Sequence, residues 1–538
     1  MVQHQSTLAA LLSLTIGLLT VLVQPASAKR PGFKVVITDK ALDFLGEYTH
    51  QLISSYLERS GKSNLKGQLK NGANFELQRL RFTKFNKDGF NSALRIEPGY
   101  GLVWQISNLT MEATSDYLTD IDAATGRVDF IVYRLNIFLL LTAEDTRDGH
   151  LRLQLDDCQT YIGTIRVNFG TRLVADRLLL QFQSPIERMA KNLLQQHICD
   201  MFNDRMAPML QDRLLQVPTS VQLFDSFYVQ HGLVKAPTFG DQNRVLTEHD
   251  GSVYALLFDG HKRIAERNLP FSAPSIVIPP PSRTNQMVHL FMSNHTLASL
   301  IYWMDQFRMF DYEFSKDKLG GDIGSYLLTD CDALCAGSLF PSLKKRYPRS
   351  AVEVHVTTME YPRVQLQHGR ALVIAKLDVD GYVVPLIDPT QRNDFLKAKL
   401  TVYSEIQKIQ LSPNYTLTGE LELTQFELSD VVTDIEEITP ETTDFLVETM
   451  LDLSVKNDFR AKLADGVQLP KILDFTLTNT AITIEEEVVE IVADLCSPTI
   501  QDCNALGSSS VTKQKPSDVN AVEVDETPED YYDYVYQR

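Results

Sequence analysis

Six cysteines carry the most legible chemistry in the chain: Cys158, Cys199, Cys331, Cys335, Cys496 and Cys503. In a reducing compartment such residues are thiols or metal ligands, whereas an even set in an oxidising compartment reads as disulfides. The amino terminus decides between the two. Residues 1–28 read as a secretory signal peptide, with an apolar core from Leu8 to Val23 and a small-residue cleavage site at Ala26-Ser27-Ala28. The n-region offers only His4 and the α-amine. A retained anchor is disfavoured because the core is shorter than a typical span and contains Ser13, Thr15 and Gly17. No later stretch is apolar and long enough to cross a bilayer, so the mature protein is expected to be secreted, extracellular and soluble. Sequence order favours the pairs Cys158–Cys199, Cys331–Cys335 and Cys496–Cys503, with other pairings open. No CxxC with a matching second pair occurs, so neither a metal nor a cofactor is expected.

Residues for covalent chemistry do not converge. There is no GxSxG elbow, HExxH, P-loop or GxGxxG after a strand. His197 sits on an apolar helical stripe and reads as a core-edge residue, not a base. Asp378 and Asp380 alternate along a strand and are expected to face water. The chain therefore reads as a non-enzyme. Its net charge of −18 argues against nucleic acid, which needs a basic face. Three N-glycosylation acceptors, Asn108-Leu-Thr, Asn294-His-Thr and Asn414-Tyr-Thr, are expected at the surface.

The elements that would position these residues begin with Ser184 to Leu214. Ser184, Pro185 and Glu187 predict a helix start with a capping box, and Ile186, Met189, Leu193, His197 and Met201 form one apolar stripe. Thr38-Asp39 predicts the cap of a helix running to about Ser60, with Leu42, Leu45, Leu52, Ile53 and Tyr56 on one side. Period-two alternation around Phe75, Leu102 and Leu151 predicts long antiparallel strands, and Phe130 to Leu141 reads as a strand buried on both faces. Five prolines between Pro270 and Pro281 predict an extended connection. The second half repeats the plan: a strand from Met287, a helix from Asn294 to Met309, and strands near Val352, Arg370, Leu400 and Thr416. A closing helix from Glu441 to about Leu463 follows. At 538 residues the chain is expected to divide into an N-terminal domain (29–266), a linker (267–283), a C-terminal domain (284–495) and an acidic disordered tail (496–538).

The residues resemble the family of bactericidal/permeability-increasing protein, lipopolysaccharide-binding protein and the plasma phospholipid and cholesteryl-ester transfer proteins. The likeness covers almost the whole mature chain. It runs from Pro31-Gly32-Phe33 and the Ile37 to Asp43 helix start through Gly101-Leu102-Val103-Trp104-Gln105-Ile106-Ser107-Asn108, and includes Cys158 with Cys199 on the long helix and Gly232-Leu233-Val234 before Pro237. It continues through the proline linker, Met287 to Ser293, Phe340-Pro341, Lys344 to Pro348, and Lys462 to Pro470. The resemblance implies an α+β boomerang: two similar domains, each a twisted antiparallel barrel around a long helix, joined by a central sheet. It also implies an apolar pocket in each domain that holds phospholipid acyl chains without covalent chemistry. A chain of about 16 carbons gains on the order of 10 kcal/mol by leaving water. Leu42, Leu45, Leu52, Ile186, Met189 and Leu193 are the expected lipid-binding residues.

The expected partners are phospholipids or related lipids and the lipoprotein, membrane or bacterial surfaces that supply them, met by a monomer. One departure bears on the ligand. The loop Glu112 to Asp129, where lipopolysaccharide-binding members carry clustered lysines, offers Arg127 against Glu112, Asp116, Asp120, Asp122 and Asp129. Another loop keeps Arg59, Lys62, Lys66 and Lys70, a partial basic patch. A lipid carrier is the first reading. The alternatives are an antibacterial, innate-immune protein that binds lipopolysaccharide and an extracellular scaffold with closed pockets.

Overall fold

The computed structural model describes residues 29–59, 63–69, 72–86, 89–169, 179–224, 226–240, 244–259, 262–278, 285–331, 334–439, 464–469 and 475–498, with 442, 447 and 503. The expected signal peptide, almost all of the closing helix and nearly all of the acidic tail lie outside the described residues. So do Pro279, Pro280 and Pro281 of the linker.

Strand β1 (Phe33–Ile37) and helix α1 (Asp39–Arg59) open the described chain. Strands β2 (Ser63–Gln68), β3 (Asn74–Phe85), β4 (Asn91–Glu97), β5 (Gly101–Thr119), β6 (Thr125–Asp145) and β7 (Leu151–Phe169) follow. They form an antiparallel sheet in the order β2-β3-β5-β6-β7, with β4 beside β5. Strands β5, β6 and β7 have 19, 21 and 19 residues, several times the usual length, so they must bend to stay within one domain. The bends sit at register shifts where non-glycine residues adopt positive φ: Arg79 at 54° and Asn108 at 61°. An extra residue at such a bulge raises the local twist and curls the sheet. The bulge also resets the side-chain phase. Phe75 and Leu77 point inward, Arg79 is thrown outward, and Leu80 and Phe82 return to the core.

Helix α2 (Gln183–Met201), a π-helical turn (Phe202–Met206) and helix α3 (Ala207–Leu215) run on from one another. Pro208 lacks the amide that would bond to Asp204, and the wider turn accommodates that loss. A four-stranded sheet follows, built from β8 (Ser220–Phe224), β9 (Phe227–Gln230), β12 (Val253–Asp259) and β13 (Lys262–Glu266). Helix α4 (Asn294–Gln306) packs on it through Leu300, Trp303 and Met304.

The central sheet is where the halves meet. Its order is β10-β11-β1-β14-β22-β21, where β10 is Leu233–Gly240, β11 Arg244–His249, β14 Val288–Ser293, β21 Thr476–Ile484 and β22 Val488–Cys496. Thr38 donates its hydroxyl to the carbonyls of Gln286 and Met287, both at 3.0 Å, so it joins the halves instead of capping α1. Lys40 donates to Asp494 at 2.9 Å, and Asp494 also accepts the Met287 amide at 3.0 Å. The second domain's sheet, β15 (Tyr312–Phe314), β16 (Ser350–Gln367), β17 (Arg370–Pro385), β18 (Asn393–Leu411), β19 (Thr416–Thr433) and β20 (Val467–Gln468), is a sequential antiparallel meander. Its bulges again carry positive φ, at Lys408 and Asp430.

Three further expectations change. Helix α2 has no capping box: it starts at Gln183 behind a 3₁₀ turn (Leu180–Phe182), and no side chain caps it. Strand β6 is buried on one face only, with Phe138 on the outer face 40% exposed. The segment Glu112 to Asp129 is not a loop but the end of β5, a 3₁₀ turn (Ile121–Ala123) and the start of β6.

Candidate functional site

The concave face of the first sheet and helix α2 enclose an apolar interior. Three adjacent ridges of α2, each with four-residue spacing, do different work. The inward ridge, Ile186, Ala190, Leu194 and Ile198, is buried against Ile106, Met111, Phe130, Ile137 and their neighbours. This is the phase of burial, shifted from the stripe expected at Leu193 and His197, which are only half-buried.

The second ridge, Gln183, Glu187, Lys191, Gln195 and Cys199, lies along the edge of β7. Gln183 donates to the Val167 carbonyl at 3.4 Å, and Glu187 accepts the Val167 amide at 3.3 Å. The Lys191 ammonium stands 5.2 Å from the Tyr161 ring centroid. Gln195 donates to the Thr160 carbonyl at 2.7 Å, while the Thr160 hydroxyl donates to the Gln195 carbonyl at 2.8 Å. Cys199 closes the row by a disulfide to Cys158. Further along, Gln211 accepts the Leu153 amide at 2.8 Å. An edge strand presents unpaired amides and carbonyls that need partners, and the helix supplies them from side chains. The edge-pairing role of Gln183, Glu187, Gln195 and Gln211 was not read from the sequence, although for the first three the polar row ending in Cys199 was its signal.

The third ridge, Met189, Leu193 and His197, flanks the other edge. There Gly67 of β2 approaches so closely that an added Cβ would lie 2.8 Å from Leu193 Cδ1 and 2.9 Å from Met189 Sδ. The helix therefore spans the gap between the two edges of the sheet: hydrogen-bonded and disulfide-linked to β7, and in apolar contact with β2. Burial holds the His197 pKa below 6.5, against Asp200, which raises it.

The six candidate lipid-binding residues do not converge. Ile186, Met189 and Leu193 belong to the barrel interior. Leu42 packs with Phe239 and Val245, and Leu45 with the cluster of Phe475 and Leu477 at the central sheet. The Leu52 side chain lies outside the described residues, and Ile53 is the α1 residue that joins the barrel core. Grooves among the described residues open at the surface. One, of about 670 Å³, lies between α1 and β4 and is lined by Asp43, Glu47, Leu94, Arg95 and Ile96. Another, of about 500 Å³, is lined by Asn294, Val364, Leu366, His368, Glu486 and Glu487.

The remaining disulfides are Cys331–Cys335 and Cys496–Cys503. Asn108 and Asn414 are exposed, whereas Asn294 is half-buried and donates to the Val364 carbonyl at 3.3 Å. Asp378 and Asp380 are half-buried on the outer face of β17, opposite Lys399 and Lys397. At the end of the first domain, Glu112 pairs with Lys84 at 3.5 Å, Asp116 with Arg79, and Asp129 with Arg127 at 3.8 Å. The acids there meet local bases, which softens the repulsion expected from the sequence. Of the second basic group, Lys66 pairs with Glu76 at 3.5 Å, and the side chains of Arg59, Lys62 and Lys70 lie outside the described residues.

A serine, a histidine and an aspartate do meet near α4. Ser252 Oγ lies 2.6 Å from Asp250 Oδ1 and 3.1 Å from His295 Nε2. In a nucleophilic triad the aspartate holds the histidine's other nitrogen. Here it binds the serine, and His295 Nδ1 is buried without a hydrogen-bond partner. Burial lowers the His295 pKa, although the Asp250 charge raises it. The order of contacts does not activate the serine. Among the described residues no three His, Cys, Asp or Glu side chains are grouped to hold a metal ion, and no helix is long and apolar enough to cross a membrane.

Comparison with known proteins agrees with this architecture. A lipopolysaccharide-binding protein from Bos taurus is 22% identical, covering 88% of this chain and 95% of the relative. A phospholipid transfer protein from Mus musculus is 21% identical over 89% of this chain and 93% of its own length. The crystal structure of a lipopolysaccharide binding protein superposes with a TM-score of 0.55 at 18% identity, over 87% of this chain and 99% of that one, and so shares the two-domain fold. Residues 41–211 match the N-terminal domain of the LBP / BPI / CETP family and residues 225–496 match its C-terminal domain, and the chain belongs to that family.

Proposed function

We propose that the protein is a secreted lipid carrier that binds phospholipid-like molecules by their acyl chains and releases them without covalent chemistry. The observation that carries this reading is the construction of the first domain. A curled sheet is closed by a helix fixed along one edge and held by apolar contact along the other. An interior so closed can part on the β2 side, between Gly67 and the Met189–Leu193 ridge, where the contacts among the described residues are apolar. The acyl chain then exchanges one apolar surrounding for another, which keeps transfer reversible.

Within this reading, Ile186, Met189 and Leu193 face the acyl chains, and residues 29–266 are the carrier domain. Residues 284–495 form its second domain, and Leu42 and Leu45 serve the junction between them. Glycans belong on the exposed Asn108 and Asn414. The names of the relatives favour lipopolysaccharide as strongly as phospholipid, and the acids paired at the first domain's end leave room for an anionic head. Transfer of a fluorescent phospholipid between vesicles tests the carrier, with lipopolysaccharide as competitor. Protein-dependent transfer is expected. The absence of both transfer and competition would reject the reading.

A further inference from the structure

We propose that the far end of the second domain is a docking surface for phospholipid membranes, built on the turn after β17. Leu386 is 46% and Ile387 83% exposed, an uncommon degree of exposure for adjacent aliphatic residues. The turn does not let them collapse. Pro385 and Pro389 flank it, and the Asp388 carboxylate accepts the Thr390 amide at 3.2 Å and the Gln391 side chain at 2.9 Å. The Leu386 amide donates to the Arg349 carbonyl at 3.0 Å, which fixes the turn beside the start of β16.

A second aliphatic group emerges on the opposite side of that strand. Leu328 bridges Ala351, and the Thr329 amide donates to the Ser350 carbonyl at 2.9 Å. The chain then reaches the Cys331–Cys335 disulfide, beside which Leu334 is 60% exposed. Leu386 and the Leu328–Thr329 segment therefore lie on opposite sides of the start of β16, at the same end of the sheet. Lys344, Lys345, Arg346 and Arg349, all exposed, sit on the rim. Lys344 and Arg346 pair with Asp330 at 2.8 Å and Asp434 at 3.2 Å.

Two turns thus present exposed aliphatic side chains beside a group of bases, on a chain of net charge −18. A protein partner needs a broad complementary area, whereas a lipid interface takes up single aliphatic side chains and attracts nearby bases when it is anionic. The occupant that fits is therefore a phospholipid surface. The proposal rests on the carrier reading for its purpose, since a carrier must meet the surface it loads from, but its test is separate.

The test is co-flotation of the mature protein with phosphatidylcholine vesicles containing a minor share of phosphatidylserine. The wild type should float with the vesicles. Leu386→Asp with Ile387→Asp should lower the bound fraction about tenfold or more, and Leu334→Asp should lower it less. Unchanged melting temperatures would show that the variants fold. Wild type that stays behind, or a double variant that floats like the wild type, overturns the proposal. So does a wild-type dimer that the double substitution turns into a monomer, because the tip would then belong to a second copy. Lipid load is read on the same samples. Lost docking with any load supports the docking end, whereas an empty wild type counts against the carrier alone.

Discussion

The two edges of the first domain's sheet meet the same helix in opposite ways. Along β7, α2 offers a polar row that ends in the Cys158–Cys199 disulfide, and backbone groups of the strand find partners there. Along β2, the described contacts of the third ridge are the approach of Met189 and Leu193 to Gly67. One edge is fixed by hydrogen bonds and a disulfide, and the contacts described along the other are apolar. A binding interior needs both, because a helix sewn to two edges could not admit a ligand and one sewn to neither would not stay folded.

Cutting the disulfide along the β7 edge should have the largest effect. Replacing Cys158 and Cys199 with alanine removes a crosslink across 41 residues. Unfolding in denaturant should show a loss of about 4 kcal/mol, against about 2 kcal/mol for removing the short Cys331–Cys335 link. Equal losses from the two would break the comparison. Next, Gly67→Val drives a side chain into Met189 and Leu193, and should cost about 1–3 kcal/mol, near the low end because both neighbours are flexible. The same variant should hasten lipid exchange, and slower exchange would place the opening elsewhere. Gln195→Ala leaves the Thr160 carbonyl of β7 without its side-chain donor, for a loss of about 1 kcal/mol measured by thermal unfolding.

The smallest effect concerns pH. Burial keeps His197, on the β2-side ridge, harder to protonate than in the unfolded chain. The unfolded state therefore binds more protons just below pH 6.5, so stability falls as the pH drops through that region and is fully present above it. Asp200 and Arg205 act on the same imidazole in opposite directions. His197→Gln should flatten that part of the melting-temperature profile. An unchanged slope would remove His197 as its source.

Much of this was legible in the sequence. The period-two runs gave the strands because a half-buried sheet demands alternation, and secretion made the cysteines readable as links. What was not legible came from long-range geometry. Arg79 looks in phase with Phe75 and Leu77 until the bulge resets the count. Ser184 and Glu187 fit a capping box, but the 3₁₀ turn ahead of α2 already continues the chain into the helix, and Glu187 is spent on the β7 edge. Leu42 and Leu45 share a stripe with Ile53, yet α1 crosses from the central sheet to the barrel, so one stripe serves three different neighbours.

The most direct test of the carrier is native mass spectrometry of the glycan-trimmed mature protein, beside Leu193→Asp, with lipid identified after organic extraction. The account predicts phospholipid-like molecules on the wild type and a reduced load on a folded Leu193→Asp, since a carboxylate beside an acyl chain is strongly penalised. A wild type that purifies empty and takes up no lipid from vesicles would contradict it.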